Sequence, residues 1–177
     1  MCKLDKPLGL GILSAAHKRG LTSTEQDEIL YKWIVQTNHM GSILGGISGV
    51  HAMTDVTGFG LAGHLLEMCK SSGLGAVLNS NNLPKISQAM SFAAQFVLPD
   101  NAMRNWNAYE GEIDMQDAGA FAWLVDPQSS GGLLLSVGAD SVGEVEAALR
   151  AAQCFHQTIG EMVELQTLPN GKILSVI

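Results

Sequence analysis

The sequence predicts an α+β layered domain, and three observations carry that reading. Helical-period apolar patterns are interspersed with short apolar runs, without the strict β-α-β order of a doubly wound parallel sheet. Near the C-terminus, Pro169-Asn170-Gly171 separates two strand-like runs, and Asn-Gly predicts an antiparallel hairpin turn. The length of 177 residues, with 46% hydrophobic and 15% charged, suits a single domain with a sizeable core and is marginal for two.

The elements follow in chain order. Leu8–Arg19 places Ile12, Leu13, Ala15 and Ala16 at helical spacing, and Gly20 ends the helix. Thr22, Ser23 and Thr24 offer N-caps for a helix over Glu25–Asn38, with Ile29, Leu30, Trp33, Ile34 and Thr37 on one face. The glycine-rich stretch Gly41–Gly49 reads as a loop or short packed turn. Val50–Thr54 reads as a strand, Phe59–Lys70 as a helix stopped by Ser71–Gly75, and Gly75–Leu78 as a strand. Ile86–Phe96 is amphipathic, whereas Leu98–Gln116 is Asn-rich, weakly patterned and read mostly as loop. Phe121–Val125 and Gly132–Val137 are apolar runs read as strands flanking a turn. Ser141–Ala152 is helical by pattern, and His156–Val163 and Lys172–Val176 are the strands of the final hairpin.

Charge and composition exclude some function classes. Ten Lys and Arg against seventeen Asp and Glu give a formal charge of −7, and no basic run occurs. Such a chain is ill suited to binding nucleic acid through phosphates. No apolar stretch approaches the roughly 20 residues needed to span a bilayer, and no secretory signal is read at the N-terminus. Three cysteines without C-x-x-C spacing read as reduced thiols of a cytoplasmic protein.

Four stretches could carry chemistry. In TDVTGFGLAGHLLEM, Asp55 ends a strand beside Thr54 and Thr57, and Gly58 and Gly60 turn the chain into a helix start. A carboxylate there, next to free helix N–H groups, could serve a Mg²⁺–phosphate group. Equally, Asp55 could cap the helix or form an Asx turn while the glycines shape the bend. In DPQSSGGLLLSV, Asp126-Pro127 breaks a strand, and Ser129, Ser130, Gly131 and Gly132 offer hydroxyls and backbone N–H groups that could cradle an anion, or form a plain connection between strands. In LDKPLGLG, Lys6 could reach a phosphate or lie solvated. In NAMRNWNAYE, Arg104 and Asn105 could bind an oxyanion or tether a loop. No Walker loop, zinc-type His/Cys spacing or nucleophile elbow occurs.

Taken together and in order, these motifs resemble one family. K-P-L-G-x-G, T-D-V-T-G-F-G-L-x-G-H-L-x-E-M, S-G-x-x-A-x-L, x-x-L-P-K, the Arg-Asn pair, D-P-Q-[ST]-S-G-G-L-L and I-G-E are similar to the C-terminal half of the selenophosphate synthetase (selenide, water dikinase) family, from about Lys3 to Ile177. The resemblance implies a three-layer α/β/α sandwich with a mixed, largely antiparallel sheet, as in aminoimidazole ribonucleotide synthetase. It also implies that residues 1–177 form one C-terminal domain, with an N-terminal ATP-binding and dimerisation domain absent. The family makes selenophosphate, AMP and phosphate from selenide, ATP and water, so ATP and Mg²⁺ are the implied cofactors and a homodimer the implied assembly. No catalytic nucleophile is expected in this chain, and the isolated domain is expected to be inactive. Asp55 matches the family's Mg²⁺-binding aspartate. Thr54, Thr57, Gly58 and Gly60 would shape its surroundings; Lys6, Arg104, Asn105, Gln128, Ser130 and Gly131 are further candidates around the nucleotide, with Asp126, Gln128, Ser130 and Gly131 matching the second motif as wall or packing residues. The sequence departs from the family pattern at Leu10 and Ser129, each in place of Thr, and at Asn101-Ala102-Met103 in place of Gly-Gly-Thr. The Ser129 change keeps the hydroxyl; the departures at positions 10 and 101–103, with the absent N-terminal half, support a second reading, a non-catalytic nucleotide- or anion-binding or assembly module, and another ATP-dependent synthetase of the same superfamily is a third.

Overall fold

The computed structural model describes residues 1–177. The chain opens on strand β1 (Cys2–Leu4), followed by helices α1 (Leu10–Lys18) and α2 (Thr24–Ile34). Helix α2 starts on a capping box: Gln26 N–H donates to Ser23 Oγ, and the Gln26 side chain accepts from the Ser23 N–H. A short helix α3 (Gly41–Leu44) occupies the segment read as a loop or packed turn. Strand β2 (Val50–Asp55) leads into helix α4 (Gly60–Ser72), which Gly73 ends with φ +67, and strand β3 (Leu74–Leu78) follows at once. Helices α5 (Met90–Ala94) and α6 (Asp100–Tyr109), strand β4 (Ile113–Met115) and helix α7 (Phe121–Val125) complete the middle of the chain. Strand β5 (Leu133–Val137), helix α8 (Val142–Ala151) and strands β6 (Gln157–Glu164) and β7 (Leu174–Val176) close it.

One seven-stranded sheet runs in the order β2-β5-β1-β6-β3-β7-β4. The pairs from β2 to β3 are antiparallel, and β3–β7 and β7–β4 are parallel. Helices α1, α2, α4, α5, α6 and α7 supply residues to a core of 34 buried side chains on one face. On the other face, α3 and α8 bring Met40, Leu44, Val145 and Leu149 onto Leu133, Leu135 and Val137. Strand β5 is therefore covered on both sides, which is why its sequence lacks polar alternation. The α/β/α sandwich with a largely antiparallel sheet is as expected, with a thick helical layer and a thin one. Lys3, buried in the sheet, ties the thin layer down through Glu146 of α8 at 2.6 Å.

Three expectations need correction. Phe121–Val125 is a helix, not a strand: four of its five side chains are buried, so the segment shows neither a helical nor a strand period. Residues 98–116 are not mostly loop, because Asp100–Tyr109 is a helix that buries only Ala102 and Asn105. The C-terminal strands do not pair as a hairpin. The turn forms, with Lys172 N–H donating to Pro169 O and Gly171 at φ +77, but β3 inserts between β6 and β7 and pairs with both.

Candidate functional site

The two glycine-spaced motifs and the N-terminal LDKPLGLG meet at one end of the sheet. Strand β2 is an edge strand, paired only with β5, and Asp55 is its last residue, opposite Leu133. Asp55 is solvent-exposed. It does not cap α4: the N-cap position is Phe59, and no side chain caps that helix. Thr54 Oγ1 donates to the Asp55 backbone carbonyl at 3.4 Å, and the Asp55 carboxylate itself takes part in no hydrogen bond or ion pair.

The turn after Asp55 is held from several sides. Val56 is buried, and its N–H donates to Gly132 O at 2.8 Å. Thr57 O accepts from Gln128 N–H and Gly60 N–H, both at 3.0 Å. Thr57 Oγ1 lies 3.0 Å from His64 Nε2 of α4. Burial lowers the His64 pKa, so the ring is held neutral, and its Nδ1 has no hydrogen-bond partner. Gly60 sits at φ +71, and a side chain there would strike the carbonyls of Leu124 and Val125. Gly58 is exposed, and its carbonyl accepts from Asn105 Nδ2 at 3.0 Å.

The DPQSSGG stretch is the clasp that joins these parts. A Cβ on Gly131 would sit 2.1 Å from Val56 O, so only glycine lets the two segments touch. Asp126, 0% exposed, accepts from Gly11 N–H at 3.2 Å and from Gln128 Nε2 at 2.7 Å, and so anchors the start of α1. Burial raises its pKa to about 8, and its Oδ1 has no partner. Gln128 is buried and accepts from Leu10 N–H through Oε1. Lys6, also buried, donates to the carbonyls of Gln36 at 2.6 Å and Ser130 at 2.9 Å, and burial lowers its pKa.

Seen this way, the candidate residues divide. Asp55, Gly58 and Ser130 are exposed, and Thr54 and Thr57 are half-buried beside them. Ser130 holds a left-handed backbone at φ +60, which presents it on this rim. Gly60, Gly131, Gln128 and Lys6 stand behind the rim and fix its shape. Asn105 is buried on α6 and ties that helix to Gly58 O and Val125 O, both at 3.0 Å. Arg104 is exposed on the same helix, outside the lining of the neighbouring cleft.

That cleft, of about 440 Å³, takes Gly58, Gln128 and Ser129 from the two motifs, but its basic and acidic lining had no signal in the sequence. Ser14 and Lys18 of α1 and its C-cap Arg19, Asp100 and Asn101 of α6, and Gly58 and Ser129 of the two motifs line it. Its residues lie on four separate segments, so no local pattern marks it. Arg19 spends one nitrogen on Leu98 O at 2.9 Å. Nowhere does the chain gather three His, Cys, Asp or Glu side chains able to hold a metal ion. An exposed carboxylate on a rigid turn can contribute one ligand to a hard cation, and phosphate oxygens, water or other chains must supply the remainder.

Comparison with known proteins gives concordant results. The family described as AIR synthase related protein, C-terminal domain, matches residues 4–168. A selenide, water dikinase of Aeromonas hydrophila is 40% identical over 174 residues, covering 98% of this chain and 50% of that protein. Among solved structures, thiamine-monophosphate kinase from Stenotrophomonas maltophilia aligns with a TM-score of 0.66 at 15% identity, over 98% of this chain and 49% of that one. Hydrogenase maturation protein HypE in complex with ATP aligns with a TM-score of 0.65 at 12% identity, over 99% and 47%. At these identities the two structures establish the fold alone. The chain spans about half the length of the curated relatives it matches.

Proposed function

The chain belongs to the AIR synthase related protein family as its C-terminal domain, and from that premise we propose that it is the C-terminal domain of a selenide, water dikinase. That enzyme makes selenophosphate from selenide, ATP and water and releases AMP and phosphate. The observation that carries the reading is the open, uncommitted carboxylate of Asp55, set on a braced turn within a sequence 40% identical to a selenide, water dikinase.

In this proposal Asp55 gives one oxygen to a Mg²⁺ that also binds the ATP phosphates. The ion would neutralise charge on the phosphate oxygens during transfer. The other ligands, the nucleophile and most phosphate contacts would come from an N-terminal domain outside residues 1–177, through which the whole enzyme would dimerise in the cytoplasm. The chain's own contribution is placement. His64 braces Thr57, Gln128 N–H and Gly132 O hold the turn, and Asn105 fixes Gly58, so the carboxylate needs little reorganisation on binding. The exposed Ser129 and Ser130 hydroxyls, on the motif that packs against this turn, are neutral donors that could meet phosphate oxygens.

The test joins this chain to the N-terminal half of the Aeromonas hydrophila enzyme and follows selenide-dependent AMP release with ³¹P detection of selenophosphate. The wild-type fusion should turn over, and Asp55→Asn should lose at least about a hundredfold in rate, the scale of removing one electrostatic contact to the transferring group. A folded fusion with equal turnover in both forms would end the proposal.

A further inference from the structure

A cavity of about 750 Å³ lies away from Asp55, between α5, α6, α7 and β4. Its walls are aromatic and thioether side chains: Trp106 and Phe121, whose rings meet edge to face at 5.2 Å, with Trp123, Phe96 and Met90. One cation, Lys85, stands at its edge with its ammonium 5.8 Å from the Trp123 ring. Lys85 is half-buried and takes part in no ion pair. Asp117, near enough to feel its charge, is engaged by Ser80 and by Gly119 N–H.

Phe96 is the unexplained residue. It follows the C-cap of α5 at φ +54, where Val97 N–H returns to Phe92 O and Phe96 N–H to Ala93 O. Glycine ordinarily takes that position, because an L side chain is strained there. Here it carries a phenyl ring that is 72% exposed to water and lines the cavity. Strain and exposure together cost stability, and nothing in the packing of the chain recovers that cost. A ring held at a cavity mouth recovers it when something stacks on it.

We propose that this cavity is a binding site for a small aromatic anion, whose ring lies among Trp106, Phe121, Trp123 and Phe96 and whose acidic group meets Lys85. Its size falls within the range of small-molecule pockets, and flat ligands gain edge-to-face and sulfur contacts from such walls. The single unpaired ammonium selects a monoanion over a neutral isostere. This site is independent of the Asp55 reading and stands or falls by itself.

Titration of the chain with 2-naphthylacetate, followed by tryptophan fluorescence and calorimetry, tests this. Saturable 1:1 binding is expected, with neutral 2-naphthylacetamide weaker by about tenfold, the worth of one charge-assisted hydrogen bond. Lys85→Gln should bring the acid down to the level of the amide. Phe96→Gly should weaken both ligands while leaving the thermal midpoint unchanged or higher, which separates a binding role from a structural one. Absence of saturable binding, equal affinity for acid and amide, indifference to Lys85→Gln, or unchanged binding in Phe96→Gly each overturns the proposal. So does displacement of the naphthyl ligand by ATP, which would make the cavity part of a nucleotide site. Dimerisation that Phe96→Gly abolishes without altering ligand binding would make it a face between copies.

Discussion

Replacing Asp126 by asparagine should remove a large part of the pH dependence of this domain's stability. The Asp126 side chain is wholly buried against the start of α1; burial raises its pKa from 3.8 to about 8. Below pH 3.8 the folded and unfolded chains both hold the proton, and the residue adds no pH dependence. Between 3.8 and about 8 the unfolded chain is ionised while the folded one keeps its proton. Stability therefore falls as pH rises, by about 1.4 kcal/mol per pH unit. From pH 5 to pH 7 the loss is about 3 kcal/mol, which for a chain of this size lowers the thermal midpoint by about 6–12 °C. Above about 8 both states are ionised and the fall stops. Asparagine is isosteric with the neutral acid. It can still accept from Gly11 N–H and Gln128 Nε2 through its oxygen, and its amide replaces the unpartnered Oδ1. Urea denaturation at pH 5, 6, 7 and 8 should give a wild-type midpoint that falls across the series. The difference between Asp126→Asn and wild type should grow by about 3 kcal/mol from pH 5 to pH 7 in favour of the variant. Parallel profiles for the two proteins would refute the argument and show that Asp126 is ionised in the folded state.

Two further substitutions probe the support of the Asp55 turn. Gly131→Ala places a Cβ 2.1 Å from Val56 O, so backbone must move; a loss of about 2–3 kcal/mol in urea denaturation is expected, with amide shift changes at residues 55–58 in ¹H–¹⁵N spectra. Asn105→Ala strands the Gly58 and Val125 carbonyls and should cost about 1–3 kcal/mol, whereas Arg104→Ala, on the exposed side of the same helix, should stay within about 0.5 kcal/mol.

The comparison of Asn105 with Arg104 also shows where sequence reasoning was effective and where it was not. The pair was legible as a candidate, but the division of labour between its members was not, because it depends on which side of α6 faces Gly58. Helices α2 and α8 were legible because each has one narrow buried stripe and a wet remainder, so burial is written into the sequence at helical spacing, whereas α1 and α4, buried over most of their length, were legible from their length and from the stop signals Gly20 and Ser71–Gly75. Helix α7 was misread because it is buried almost all round, which erases the period. Strand β1 was missed because three residues are too few to show any alternation. The expected hairpin failed for a different reason: its turn is local and forms as read, but whether two strands become neighbours depends on what else competes for the edge, and β3 won it.

By itself, then, the sequence determined the fold class, the family, and the two glycine-spaced motifs flanking a single carboxylate. The family rests on the resemblance of ordered motifs; the fold class and the motifs' local shape rest on local terms: apolar period, turn chemistry and the steric permission that glycine gives. Tertiary structure alone decided the strand order and the closure of DPQSSGG onto Val56, Thr57 and the start of α1. It also decided that Lys6 and Asp126 are turned inward while Asp55 is left in solvent, and that a cavity opens beneath Phe96. Each of these depends on contacts between residues tens to more than a hundred positions apart, whose strength is set by desolvation and close approach, and neither quantity exists until the chain has folded.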